Sequence, residues 1–291
     1  MSLEVSDADR MDTLRQRTIA TEFSLTGVGV HTGNLSELTV KPTESGGIRF
    51  KRMDLEGQPE VPARLDFVKD TNRGTSLAIG EVTVMTVEHI MGALMGMQVD
   101  HVLIELAGLE LPILDGSFEP YTQAISTVGL KLLPGYAEVL SVQRPFEVHC
   151  KVGTVYKLSP SKHLQIDASI NFEHTAIGVQ SGSFEINQDT FTSEIAPART
   201  FGFESEVASL RKGNLAKGAS ITNTIVLDEV GVVNGTLRFE DEFLRHKVGD
   251  VIGDLALIGK RIRANVICER PGHEGNVMMA KCLRDKVESN V

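Results

Sequence analysis

Leu237-Arg-Phe-Glu-Asp-Glu-Phe-Leu-Arg-His-Lys-Val-Gly-Asp-Val-Ile-Gly-Asp-Leu255 is the stretch from which the rest of the chain can be read. Its apolar spacing predicts a helix over Glu240 to Ile258. At about 100° per residue, His246, Lys247, Asp250 and Asp254 fall within an arc of roughly 100°. Val248, Val251, Ile252 and Leu255 point the other way. On an ordinary amphipathic helix such a charged arc is the solvated face. A histidine and an aspartate at i, i+4 can also reach one cation together. The rest of the chain decides between the two.

The chain has 291 residues, 41% hydrophobic and 23% charged, which is the composition of a globular protein with ample core material. Its 29 Lys+Arg against 39 Asp+Glu give a formal net charge of -10, which argues against a broad nucleic-acid surface. The three cysteines, Cys150, Cys268 and Cys282, form no CxxC pair, so a reducing compartment is expected and a cysteine zinc site is not. The acidic segment Met1–Arg10 has no apolar run, and no stretch approaches the ~20 apolar residues that span a bilayer. A cytoplasmic protein with no transmembrane segment is the expectation.

Residues 1–14 read as a tail. Strand-like runs follow at Phe23–Val30, Leu38–Pro42, Gly47–Phe50 and Val102–Leu106, each bounded by glycine or proline. Val87, Ile90, Met91 and Leu94 keep helical spacing, and Pro120–Val128 is a second helical stretch. Pro134-Gly135 reads as a turn between two units. Beyond it come strands at Val139–Val142, Phe146–Cys150, Thr154–Leu158 and Leu164–Phe172. Helices are expected at Glu204–Lys212, Glu240–Ile258 and Asn276–Arg284. Strands followed by helices in each half predict an α+β fold, with residues 15–134 and 135–291 as two domains.

Four further segments could carry chemistry. In Thr86-Val-Glu-His-Ile-Met-Gly-Ala-Leu94, Thr86 is expected as an N-cap, which puts Glu88 and His89 in the first turn. The positive helix end would then keep Glu88 ionised and His89 neutral. Arg270-Pro-Gly-His-Glu-Gly-Asn276 places His273 in a glycine-flanked loop that a ligand can approach. Ala196-Pro-Ala-Arg-Thr-Phe-Gly-Phe203 sets the Thr200 hydroxyl beside two aromatic rings. Gly27-Val-Gly-Val-His-Thr-Gly33 has GxGxxxG spacing followed by another strand, so a dinucleotide-binding reading is discounted. Leu111-Pro-Ile-Leu-Asp-Gly-Ser117 reads as a structural strand and turn. Two histidines and an aspartate leave an open coordination position, as in catalytic zinc sites, where a bound water is activated near neutral pH. Glu88 as base and His273 as acid then imply amide or ester hydrolysis.

These motifs, TGVGVHTG (26–33), TVEHIMGAL (86–94), ELPILDGS (110–117), APARTFGF (196–203), LRFEDEFLRHKVGDVIGDL (237–255) and GHEGN (272–276), occur in order over nearly the whole chain. The sequence resembles the UDP-3-O-acyl-N-acetylglucosamine deacetylases, the zinc enzymes of lipid A biosynthesis. The resemblance implies two similar α+β domains, each a sheet layer packed with helices, with the active site at their interface. It implies one catalytic Zn2+ per chain on His89, His246 and Asp250. Glu88 would be the general base and His273 the general acid, with Asp254 as its partner. Lys247 and Thr200 would stabilise the oxyanion or hold substrate.

An insert at about 201–225 would shape an apolar acyl passage lined by Phe201, Val207 and Leu210, and Phe172 would contact the nucleotide-sugar. His31 would lie near the site. The substrate would be a UDP-linked acylated glucosamine and the protein a monomer. Because the chain ends soon after Arg284, a stand-alone deacetylase without a fused dehydratase is expected. Three departures from the family pattern stand out. Gly249 replaces a larger residue at a cost of ~1 kcal/mol of helix propensity, Asn214 stands where many relatives have glycine, and Ala219 breaks a glycine pair. The competing reading is a non-catalytic relative that only binds a sugar nucleotide.

Overall fold

The computed structural model describes residues 14–150, 153–233 and 235–288, so nearly all of the expected N-terminal tail lies outside the described residues. Two sheets and a central helix pair form one continuous hydrophobic core.

The first sheet is built from β2 (Phe23–Val28), β3 (Leu35–Pro42), β4 (Ile48–Arg52), β5 (Glu60–Pro62) and β9 (Val102–Ala107), in the order β2-β3-β9-β4-β5. β9 runs antiparallel to β3 and parallel to β4. In β3 burial alternates along the strand, with Ser36, Leu38 and Val40 turned inward. This is the period-2 signature of a sheet with one covered face.

The second sheet takes β12 (Phe146–His149), β13 (Val155–Ser159), β14 (Leu164–Asn171), β15 (Val179–Ile186) and β18 (Arg261–Glu269), in the order β12-β13-β18-β14-β15. β18 runs antiparallel to β13 and parallel to β14, and β11 (Val139–Ser141) pairs with its first residues. β1 (Arg15–Ile19) pairs with β10 (Leu130–Tyr136), and β6 (Val68–Asp70), β7 (Ser76–Ile79) and β8 (Val82–Val84) form a small third sheet. Pro134 and Gly135, expected in a turn, lie inside β10. The expected strand at 111–117 is irregular turn structure apart from a bridge between Glu110 and Met85.

The longer helices are α1 (Glu88–Gly96), α2 (Glu119–Val128), α3 (Glu204–Lys212), α4 (Glu242–Ala256) and α5 (His273–Glu288). The 201–225 region begins with β16 (Phe201–Phe203), continues through α3 and returns to a parallel partner, β17 (Ile225–Leu227). α1 and α4 pack against each other at the centre. A Cβ at Gly253 would stand 2.2 Å from the Glu88 carbonyl oxygen, and one at Gly249 would stand 2.3 Å from the Phe118 ring. Glycine is therefore what lets the two helices and Phe118 close on one another. The larger residue expected at position 249 would have no room here.

α4 is not the half-solvated helix that its charged arc suggests. Of its fifteen residues only Arg245 and Lys247 escape full burial, and His246, Asp250 and Asp254 are as enclosed as Val248 and Leu255. Polar groups are taken into a core at such cost only when they are paired or ligating. The arc therefore faces a site and not the solvent.

Candidate metal centre

His89 comes from the first turn of α1, and His246 and Asp250 come from successive turns of α4. One ligand atom from each lies within 4.8 Å of the others. His246 Nε2 is 3.5 Å from Asp250 Oδ1, and the His89 and His246 rings are 5.2 Å apart between centroids. Phe118 lies against both rings, 4.7 Å from His89 and 5.3 Å from His246.

Position 198 settles which nitrogen of His246 is free. Its Nδ1 donates to the Ala198 carbonyl at 3.1 Å, so Nε2 is left bare towards Asp250. Buried His89 Nδ1 and Asp250 Oδ1 have no hydrogen-bond partner. An imidazole nitrogen and a carboxylate oxygen left unpartnered in a core, on residues that converge, fit a divalent cation with nitrogen and oxygen donors.

Electrostatics favours the ligating protonation states. Burial, helped by the His246 ring, pushes His89 down to about 3. Burial also lowers His246. Burial alone would raise Asp250, but Lys247 and the surrounding histidines hold it well below the usual carboxylate range. Lys247 Nζ donates to Asp250 Oδ2 at 2.9 Å.

Glu88 corrects the sequence expectation. It does lie in the first turn of α1, but Thr86 is no N-cap: its backbone is left-handed (φ 59°) and its hydroxyl donates to Glu110. Burial outweighs the helix end and raises Glu88 to about 7, with Asp250 and Asp254 adding to the rise and His273 opposing it. Thr75 N–H holds Glu88 Oε2 at 2.8 Å.

His273, expected in a loop, opens α5 instead. Its Nδ1 donates to Asp254 Oδ2 at 2.9 Å, and its Nε2 stands 3.8 Å from Asp250 Oδ2. Burial would lower its pKa, but Asp254 and Asp250 override this and raise it to about 9. Asp254, fully buried, also accepts from Thr75 Oγ1 and from Asn276 Nδ2. Tyr156 Oη in turn donates to Asn276 Oδ1 at 2.6 Å.

A cavity of about 730 Å³ opens over this centre. Glu88, His89, His246, Lys247, Asp250 and His273 line one part of it, and Thr200, Phe201 and Phe172 line another. Val207 and Leu210 lie half-buried on α3 and are not brought to the cavity wall. Asn214 adopts the left-handed backbone (φ 60°) that its replacement of glycine requires. Sequence reasoning gave no role to Thr75, Ala198, Asn276 or Phe118. Asn276 and Ala198 sat inside noted motifs, whereas nothing local marks Thr75.

Residues 16–285 match the family described as UDP-3-O-acyl N-acetylglycosamine deacetylase. The chain belongs to this family. The UDP-3-O-acyl-N-acetylglucosamine deacetylase of Thermodesulfovibrio yellowstonii is 40% identical over 272 residues, covering 92% of this chain and 91% of that protein. The enzyme of the same name from Anaeromyxobacter dehalogenans is 41% identical over 284 residues, covering 97% of this chain and 91% of its own length. A bifunctional enzyme LpxC/FabZ of Chlorobaculum tepidum is 36% identical, with 95% of this chain matching 66% of that protein. The buried His89, His246 and Asp250 are the deacetylase's candidate metal site. Among the described residues no helix is long and apolar enough to cross a membrane.

Proposed function

We propose that this deacetylase hydrolyses the N-acetyl amide of UDP-3-O-(3-hydroxyacyl)-N-acetylglucosamine. Acetate is released and the sugar is committed to lipid A. The observation that carries the reading is the buried convergence of His89, His246 and Asp250 beside Glu88 and His273. The cation that best suits two imidazoles and a carboxylate with an open position is zinc. When bound there, such an ion supplies Lewis acidity: it lowers the pKa of a water and polarises a carbonyl.

Residues of the chain do the rest. Thr75 fixes Glu88 through Oε2, so that Oε1 is the oxygen that accepts the proton of the attacking water. The elevated pKa of Glu88 matches it to that task near neutrality. His273, held protonated by Asp254, delivers a proton to the leaving amine from Nε2. Lys247 and the Thr200 hydroxyl face the same cavity and offset the negative charge that develops on the acetyl oxygen. Phe172, which meets Phe201 at 5.6 Å between ring centroids, offers an aromatic wall for the nucleotide-sugar. The acyl passage is assigned to the insert at 201–225, which meets the cavity through Phe201, Gly202 and Phe203 and not through Val207 or Leu210.

The two-domain division at 134/135 belongs to the same proposal. In each large sheet the last strand in sequence lies third, antiparallel to one neighbour and parallel to the other, and a central helix precedes it. The proposed unit is a cytoplasmic monomer.

The test is acetate release from the acylated UDP-sugar by the zinc-loaded protein. Glu88→Ala should keep zinc and lose turnover by about a hundredfold or more. Turnover that survives this substitution would remove Glu88 from the mechanism. A wild-type protein that binds the sugar nucleotide and releases no acetate would instead support a non-catalytic binder.

A further inference from the structure

Two motifs have no part in the chemistry just described, the glycine loop at 27–33 and Glu110. The fold brings them together. Glu110 is only 2% exposed and accepts four hydrogen bonds. Oε1 takes the His31 N–H and the Thr86 hydroxyl, each at 2.9 Å. Oε2 takes the Thr32 N–H and the Thr32 hydroxyl, each at 2.7 Å. Successive backbone N–H groups in a glycine-rich turn are an anion cradle. Here the anion is the protein's own carboxylate, which explains a glycine pattern that otherwise suggests a phosphate. Gly29 is what admits it, since a Cβ there would stand 2.2 Å from Glu110 Oε2.

Each end of this cluster leads to the active site. Thr86 is a β-branched residue in the left-handed region, two residues before Glu88, and its hydroxyl bond to Glu110 helps hold that strained backbone. The loop also carries the insert. Lys217 N–H donates to His31 O and Gly218 N–H to Val30 O, each at 3.1 Å. A Cβ at Gly218 would meet Gly29 O at 2.2 Å, so this contact is backbone against backbone. The His31 ring sits between Arg73 O at 3.2 Å and Ala216 N–H at 3.4 Å, and a neutral ring protonated at Nε2 satisfies both.

We propose that Glu110 is a positioning residue: one carboxylate fixes Thr86, and through it the base Glu88, relative to the 216–218 segment of the acyl passage. Glu110 touches no substrate. Its contribution is register between the reacting centre and the insert to which the acyl passage is assigned. The inference rests on the deacetylase reading and on the passage assigned to the insert.

The discriminating substitution is Glu110→Gln in the zinc-loaded protein, assayed on a long-acyl and a short-acyl UDP-sugar. An amide offers one accepting oxygen, so either the Thr32 N–H or the His31 N–H must face an N–H. Zinc content is expected to be unchanged. kcat/KM for the long-acyl substrate should fall about tenfold or more, the size of one lost charge-assisted hydrogen bond. The short-acyl substrate should lose less, so the preference ratio narrows, and Glu110→Asp should restore part of it. Thr32→Val deletes only one hydroxyl donor and should narrow the ratio in the same direction by a smaller factor. Equal losses on both substrates in Glu110→Gln, or an unchanged ratio in Thr32→Val, would overturn the proposal. Wild-type protein that releases acetate from neither substrate would defeat the deacetylase reading itself, a distinct outcome.

Discussion

Glu242→Gln tests how the metal helix is tied to the segment that orients its own histidine. Glu242, fully buried at the start of α4, accepts from Arg199 N–H at 3.0 Å and Arg199 Nε at 2.8 Å through Oε1. Through Oε2 it accepts from Arg238 N–H at 2.6 Å and from the second guanidinium nitrogen of Arg199 at 3.1 Å. Gln has nearly the same volume, so no cavity cost enters. In either amide orientation, one backbone N–H and one guanidinium N–H are left facing an N–H. The first costs about 1–3 kcal/mol and the second about 1.5–3. The sum, ~2.5–6 kcal/mol, is a large part of the stability of an ordinary domain.

The consequence reaches the metal, because the peptide beside Arg199 carries the Ala198 carbonyl that holds His246 Nδ1. Weakened support for a ligating histidine typically costs about 10–100-fold in metal affinity. Urea denaturation gives the stability change and a competing chelator gives the affinity. A loss below about 1 kcal/mol with unchanged zinc affinity would refute the reasoning, since burial would then not be forcing these bonds.

Other outcomes follow from the same geometry. kcat/KM should rise with pH as Glu88 loses its proton, at or below about 7 once a cation is bound, and fall as His273 loses its proton, at or below about 9 for the same reason. Asp254→Asn removes the group that raises His273, so the alkaline limb should move to lower pH; an unmoved limb would take His273 out of the acid role. Gly249→Ala gains ~1 kcal/mol of helix propensity but drives a Cβ to 2.3 Å from the Phe118 ring. The overpacking penalty of about 1–3 kcal/mol should win. Tm should fall and zinc should dissociate more readily, whereas a more stable variant would contradict the packing argument. Gly253→Ala meets the Glu88 backbone and should be worse than Gly249→Ala in the same thermal assay.

The parts of this molecule legible in sequence are those where local pattern and global role agree. α3 has the expected limits of Glu204–Lys212, and α1 and α4 lie within a few residues of the spacing that suggested them. β18 escaped notice although Ile262, Ala264, Val266 and Cys268 turn inward between the outward Arg261, Arg263 and Asn265, which is the period-2 signature of a strand with one covered face. That strand is central to its sheet, so the omission hid the topology. Thr86 was misread because its hydroxyl has a partner 24 residues away, which no local cap rule anticipates. The rise of Glu88 was hidden for a similar reason: helix-end electrostatics is local, and burial is not. His246 and Asp250 were readable as a candidate pair from their i, i+4 spacing, and the resemblance joined His89 to them. Thr75, Ala198 and Asn276, which hold the site in place, contribute a backbone atom or a common polar side chain with no signature of its own.

X-ray absorption at the zinc edge, on protein loaded with one equivalent of the metal, addresses the shared cation itself. Two imidazole nitrogens with oxygen donors at about 2.0–2.1 Å, and loss of the imidazole signal in His89→Ala and His246→Ala, are the expected result. A spectrum with sulfur donors, or one unaltered by either substitution, would place the metal elsewhere and contradict the convergence of His89, His246 and Asp250.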